Sequence, residues 1–318
     1  MKKLRNINID SKNILAKQIS NVKLPLPEAR SLIDSVIQNH SSLWKDNLAQ
    51  SKPEKGKWVR SAYKTDLGKL LKLIDVKVLS HLDEDLPAFI FGGRKGISNV
   101  TAAKHLLGFQ KERTLLALDI TKFFESVELL KVETFYKSKR CSPKISKILA
   151  RLSCVPRGSK HTPESTLSLA RGFSTSTRLA VWSYMTAFYR IHDLVMKRLK
   201  NFDPRIAVFI DDIGISASRV PKDLLVGLVE EIESILNEES SGALRLNKEK
   251  TKIMNYKDGV KHLGVVLNRN KLVLPKDMQA RRDWLTYQYK VTGLEKYKKP
   301  MRGYKSYENV IRKANKPQ

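Results

Sequence analysis

The stretch AVFIDDIGISAS, residues 207–218, sets Asp211 and Asp212 side by side between runs of apolar and β-branched residues. Val208, Phe209, Ile210 and Ile213 are too apolar for a surface loop, so the pattern predicts a buried hairpin with two carboxylates at its tip. Adjacent carboxylates repel, and each one taken out of water is costly unless a positive partner stands beside it. A solvated turn is the plain alternative, since aspartate is common in turns. Such a turn would favour glycine in its tight position, yet Gly214 comes two residues late. A divalent cation would remove the repulsion, which raises the question of a third carboxylate.

That carboxylate is Asp119, which closes the apolar run RTLLALDI, read as a buried strand. Upstream, the first hundred residues read as mostly helical, with leucines at helical spacing in DLGKLLKLIDVKVLSHL. Helices are expected near 126–138 and 142–154, then a loop carrying Pro156, Gly158 and Pro163, then one long helix near 175–200. PKDLLVGLVEEIESILNEE is an amphipathic helix, KIMNY, KHLGVVLN and KLVL are short strands, and the chain from Lys276 returns to helix. Strands separated by helices, with acids at strand ends, describe an α+β sheet backed by helices.

Sixty Lys and Arg against 32 Asp and Glu leave a net charge of +28. That is far beyond the charge of about 2–8 that keeps a small domain soluble, and it points to a polyanionic partner. No strongly amphipathic basic helix stands out, so nucleic acid is favoured over an anionic membrane surface. No apolar run approaches the roughly 20 residues that span a bilayer, and the basic N-terminus lacks a signal-like apolar core. A cytoplasmic protein with no membrane partner is expected. Cys141 and Cys154 are too few for a disulfide framework or a zinc site.

A strand-end Asp followed by Phe-Phe, a later long helix and an apolar hairpin tipped by Asp-Asp together resemble the palm of a reverse transcriptase. Phe209-Ile210-Asp211-Asp212 resembles that family's aromatic-x-Asp-Asp signature, and Asp119 its first catalytic aspartate. LARGFSTSTRLAVW resembles its template-positioning segment, keeping Leu169, Gly172, Ser176, Leu179 and Ala180. Ala170, Arg171, Ser174 and Thr177 depart from it, with Arg171 in the place of a glutamine. LRLNKEKTKIMNY resembles the segment that brings Lys250 near the triphosphate, and KHLGVVLN the hairpin that grips the primer. GKWVRSAYK and FIFGGRKGISNV resemble fingers segments; TAAKH at 101–105 partly matches a retron segment.

The resemblance implies a right-hand polymerase: N-terminal helices and fingers over 1–112, a palm over 113–260 with fingers elements near 140–180, and a primer-grip hairpin with a basic helical thumb over 261–318. It implies catalysis by Asp119, Asp211 and Asp212, and metal held by Asp119, Ile120, Asp211 and Asp212. Two Mg²⁺ ions, with Mn²⁺ as a substitute, would serve in-line nucleotidyl transfer. Arg60, Phe124, Gly172 and Lys250 would bind the nucleotide. Arg94, Lys95, Lys298, Lys299, Arg302, Tyr304 and Tyr307 would bind RNA, with dNTPs, a structured noncoding RNA as template and primer, and an RNA–DNA hybrid as partners. A retron-like antiphage role with an effector protein encoded elsewhere is the expected setting. A polymerase-fold RNA-binding scaffold with lost or untemplated synthesis is the alternative, fed by the departures at Ala170, Arg171 and Thr177.

Overall fold

The computed structural model describes residues 5–108 and 112–316; residues 1–4, from the basic N-terminus, and 317–318, at the end of the tail, lie outside the described residues. Helices α1 (Lys12–Ile19) and α2 (Leu26–Asn39) lead into two short paired strands, β1 (Lys45–Asp46) and β2 (Arg60–Ser61). Helix α3 (Asp66–Ile74) starts at Thr65, whose hydroxyl accepts from the Gly68 N–H. Helix α4 (Asn99–Leu107) starts at Ser98 in the same way. Strand β3 (Arg113–Asp119) follows, then α5 (Phe123–Ser126), α6 (Leu129–Ser138) and α7 (Pro143–Ser153).

The expected loop after α7 is instead a hairpin, β4 (Cys154–Gly158) against β5 (Pro163–Leu169), with a register irregularity between Pro156 and Gly158. A two-stranded sheet is all edge, where proline is tolerated. The expected long helix is two, α8 (Ser176–Ser183) and α9 (Met185–Arg198). Tyr184 leaves helical geometry between them, and its hydroxyl donates to the Ser126 carbonyl at 3.0 Å. Then come β6 (Arg205–Phe209), β7 (Asp212–Ser218), α10 (Lys222–Ser240), β8 (Lys252–Asn255), β9 (Val260–His262), β10 (Val265–Asn268) and β11 (Lys271–Val273). Two helices, α11 (Lys276–Thr292) and α12 (Glu295–Ala314), close the chain, with Gly293 left-handed at the end of α11.

The central sheet runs β6-β7-β3-β8 and is antiparallel throughout, so the class is α+β. Strand alternation divides its residues between two cores. Leu116, Leu118, Val208, Ile213 and Ile215 face the larger core, which also takes in the N-terminal helices, α9 and α10. Leu115, Ala117 and Ala207 face a smaller core built with α4, β9–β11 and Ile311 of α12. Among the described residues no helix is long and apolar enough to cross a membrane.

Candidate active site

Register brings the carboxylates together. Asp119 pairs with Asp212 across β3 and β7, and Asp212 pairs with Phe209 across β7 and β6. Asp119 and Asp212 therefore stand on one face of the sheet, at the same end. Asp211 sits beside them in the two-residue turn, where Ile210 takes φ = +65°. A β-branched residue in the left-handed region is strained, and such strain collects at functional sites. The turn is held by its surroundings: Phe91 and Gly92 donate to the Val208 carbonyl at 2.9 and 3.2 Å, and Val208 donates to Phe89 at 2.8 Å. Gly92 is obligatory there, because a Cβ would lie 2.3 Å from the Ile210 nitrogen.

The chain beyond β3 is pinned on both sides. Ile120 donates to the Asp211 carbonyl at 2.9 Å, and Asn247 donates to the Asp119 carbonyl at 2.8 Å. That second bond carries the segment before β8 to the site, and Lys250 Nζ reaches Asp119 Oδ1 at 2.5 Å. Burial, then Asp211 and Asp119, push the Asp212 carboxyl up to about 7 against a smaller opposing pull from Lys250. Burial also raises Asp211, whose own backbone, Arg171 and Lys250 act the other way. The hydrogen bond to Asp119 raises the Lys250 ammonium above its usual range. One ammonium thus faces three carboxylates, a surplus of negative charge that a divalent cation fits.

The donors are hard oxygens, the kind Mg²⁺ and Mn²⁺ prefer. Among the described residues no three His, Cys, Asp or Glu side chains close around a point as a self-sufficient metal site. Mg²⁺ is commonly held by one or two carboxylates with substrate phosphates and water, so a set open on one side fits an ion completed by a nucleotide.

Phe123 is fully buried against Tyr184 and Phe188, and Phe124 is buried in the same larger core, with the Arg171 guanidinium 4.8 Å from its ring centre. Arg171 is held there by Glu125, its Nε and one terminal nitrogen donating to the two carboxylate oxygens at 3.2 and 3.0 Å. Glu125 was not foreseen; its only signal is its place next to Phe124. The Arg171–Glu125 pair lines a cleft of about 320 Å³ with Trp58, Lys122, Arg157 and Glu128.

Two expected nucleotide contacts turn inward. Arg60 is buried, pairs with Asp46, donates to the Pro156 and Gly158 carbonyls, and lies over the Trp44 and Trp58 rings. It braces β1–β2 against β4 and is not a free phosphate ligand. Gly172, at φ = +105°, is needed for an internal approach: a Cβ would lie 2.4 Å from the Arg60 carbonyl. That close packing accompanies a 2.6 Å bond from the Arg60 N–H to the Arg171 carbonyl.

Arg94 is half-buried and Lys95 exposed beside a cleft of about 410 Å³ that ends at Phe209 and Ile210. In the tail, Lys299 and Arg302 are exposed, and Lys298 pairs with Glu295. Tyr304 is half-buried. Tyr307 is half-buried against the smaller core, with its hydroxyl bonded to Asn99 and Gly264. The well-exposed aromatic of the tail is Tyr287, with Trp284 beside it under Arg281.

Residues 50–267 match the family described as reverse transcriptase (RNA-dependent DNA polymerase). The chain belongs to this family, whose members generally use a divalent metal. It is 26% identical over 265 residues to the Retron Se72 reverse transcriptase of Salmonella heidelberg (strain 579083-10), a match that covers 81% of this chain. The match covers 63% of that relative. An apo telomerase from Candida tropicalis, truncated from its C-terminal domain, aligns at a TM-score of 0.41 and 14% identity, over 64% of this chain and 43% of that one.

Proposed function

We propose that the protein is an RNA-directed DNA polymerase that copies a dedicated structured RNA in a retron-like antiphage system. The observation that carries this reading is the row Phe209–Asp212–Asp119, with Asp211 in the adjoining turn and Lys250 on Asp119. Two Mg²⁺ ions would supply charge stabilisation for the attacking and leaving oxygens of an in-line displacement. Asp119, Asp211 and Asp212 would hold them, with the Ile120 backbone beside Asp211. Lys250, now on Asp119, would exchange that carboxylate for a triphosphate oxygen once the carboxylate is engaged. Phe124 would wall the sugar, with Arg171 fixed over it by Glu125.

Retron association rests on the name of the relative and on the match to it. The excess of Lys and Arg suits a long polyanion, and Arg94, Lys95, Lys299 and Arg302 are candidates to meet its phosphates. Sequencing the nucleic acid that copurifies with the protein tests the proposal. A discrete RNA joined to complementary DNA is expected. Homopolymeric DNA would mean untemplated synthesis, and RNA alone would mean a scaffold; either overturns the reading.

A further inference from the structure

We propose that Asn99 and Tyr307 form a latch that fixes the β9–β10 turn against the carboxylate face, which makes them positioning residues for the primer end. The proposal rests on the polymerase reading above, in which this turn grips the primer.

The turn itself is demanding. His262 pairs with Val265, leaving Leu263 and Gly264 as a two-residue loop with φ of +50° and +73°. Two positive φ values favour Asn-Gly, and a leucine in the first place is strained. Something outside the hairpin has to hold it.

The holding groups come from two distant elements. Asn99 Nδ2, from the first residue of α4, donates to the Leu263 carbonyl at 2.6 Å and to the Tyr307 hydroxyl at 2.7 Å. The Tyr307 hydroxyl in turn donates to the Gly264 carbonyl at 3.3 Å. Two amide hydrogens and one hydroxyl hydrogen meet three acceptors, with none left over. Both carbonyls of the turn are captured, one by each residue. Gly264 suits its place because φ = +73° is a conformation that side chains rarely adopt.

The latch is anchored at both ends. Tyr307 and Ile311 on α12 and Asn315 at its C-terminal cap recur every four residues, hence on one face. Ile311 is buried in the smaller core, and Asn315 bonds both the N–H and the carbonyl of Leu272 in β11. At the other end, α4 is packed beneath the central sheet through Leu106.

A second observation ties the turn to the carboxylates. Ala207, Gly214 and Ala117 lie opposite one another across β6, β7 and β3, in the row next to Phe209, Asp212 and Asp119. These small residues let β9 press onto the sheet. A Cβ on Gly214 would lie 2.6 Å from Leu106 Cδ1 and 2.8 Å from His262 Nε2. His262 is buried there, and among the described residues its Nε2 has no hydrogen-bond partner. Beside the turn, then, the strand sits on the row next to the carboxylates, and the turn itself is locked from outside. Positioning errors of about 1 Å can cost on the order of a hundredfold in rate, which is the scale on which such a lock matters.

The test is incorporation of dNTPs on a primed RNA template by full-length wild type, Tyr307→Phe, Asn99→Ala and the double variant. Tyr307→Phe keeps the ring and removes only the hydroxyl. Either single change should lower kcat roughly tenfold, as expected for a small displacement of the primer end. The KM for dNTP and the filter-binding affinity for primed template should stay within about twofold. The double variant should be no worse than the worse single one, because the two residues act as a unit. Wild-type kcat in both single variants, with Asp211→Asn inactive, overturns the latch and leaves the polymerase standing. Additive losses that track the melting temperature overturn it too, since they mark a merely structural bond. A wild type that incorporates nothing overturns the polymerase reading and the latch with it.

Discussion

The carboxylate hairpin and the C-terminal helical pair are built on opposite terms. The hairpin and β3 together gather three carboxylates in a partly dry site, and their geometry is over-determined. Sheet register, the strained Ile210 turn and the close approach of Gly92 all fix the same few atoms. The helical pair spreads positive charge over solvent. Leu285 is the buried residue of α11, and Met301 and Ile311 are those of α12. On the proposed reading, the difference separates two tasks. Chemistry needs atoms fixed to a fraction of an ångström, whereas phosphate attraction acts through distributed charge and tolerates motion.

The same substitution should act with opposite sign in the two regions. Gly214→Ala forces a Cβ into Leu106 and His262, and overpacking of this kind costs about 1–3 kcal/mol. Gly303 lies inside α12 with nothing near the added carbon. Gly303→Ala should therefore stabilise by about 0.5–1 kcal/mol through helix propensity. Thermal melts would read these as a fall and a smaller rise. If both variants melt lower, the tail is as tightly built as the central sheet and the contrast fails.

A weaker effect belongs to the charges. Neutralising Lys298, Lys299 and Arg302 together should weaken all RNAs alike and flatten the salt dependence of binding. Each lost phosphate contact removes about 0.7–0.9 from the log–log slope. Lys298 is already paired with Glu295, so the fall should match about two contacts and not three. Filter binding over a salt series measures it, and an unchanged slope would move the RNA surface away from the tail.

The smallest effect should come from stacking. One stacked base is worth about 1–3 kcal/mol, but stacking tolerates any base, so Tyr287→Ala should lower the preference for cognate over scrambled RNA by less than about 0.5 kcal/mol and leave the slope intact. Tyr304→Ala should do less, since that ring is half-buried. Equal losses on both RNAs would show that Tyr287 packs or carries charge indirectly.

The sequence made the carboxylate row legible because strands write their faces into a two-residue alternation. Val208, Ile213 and Ile215 had to share one face, so Asp212 had to point to the other. Lys250 was legible only through the resemblance of LRLNKEKTKIMNY to a family segment; the pairing of β8 with β3 that brings it to Asp119 left no sign of its own in the sequence. Arg60 was not. Its partner Asp46 lies in a two-residue strand too short for any periodic signal, so the ion pair that consumes it leaves no trace in the pattern. Pro156, Gly158 and Pro163 punctuate the sequence like a loop, yet an isolated hairpin has edges that accept them. Tyr307 was expected at an RNA surface yet packs against the smaller core while Tyr287 is exposed, because aromatic content alone does not say which helix face turns inward.

The most direct test of the central claim separates the two regions in one protein. Asp211→Asn keeps the shape of the side chain and removes a charge from the site. Primed RNA template, dNTPs and Mg²⁺ would be given to wild type and variant, with RNA affinity measured on the same samples. The account predicts incorporation lowered by orders of magnitude and RNA affinity unchanged within about twofold, because binding rests on distant, distributed cations. Wild-type incorporation by the Asp211→Asn protein would contradict it.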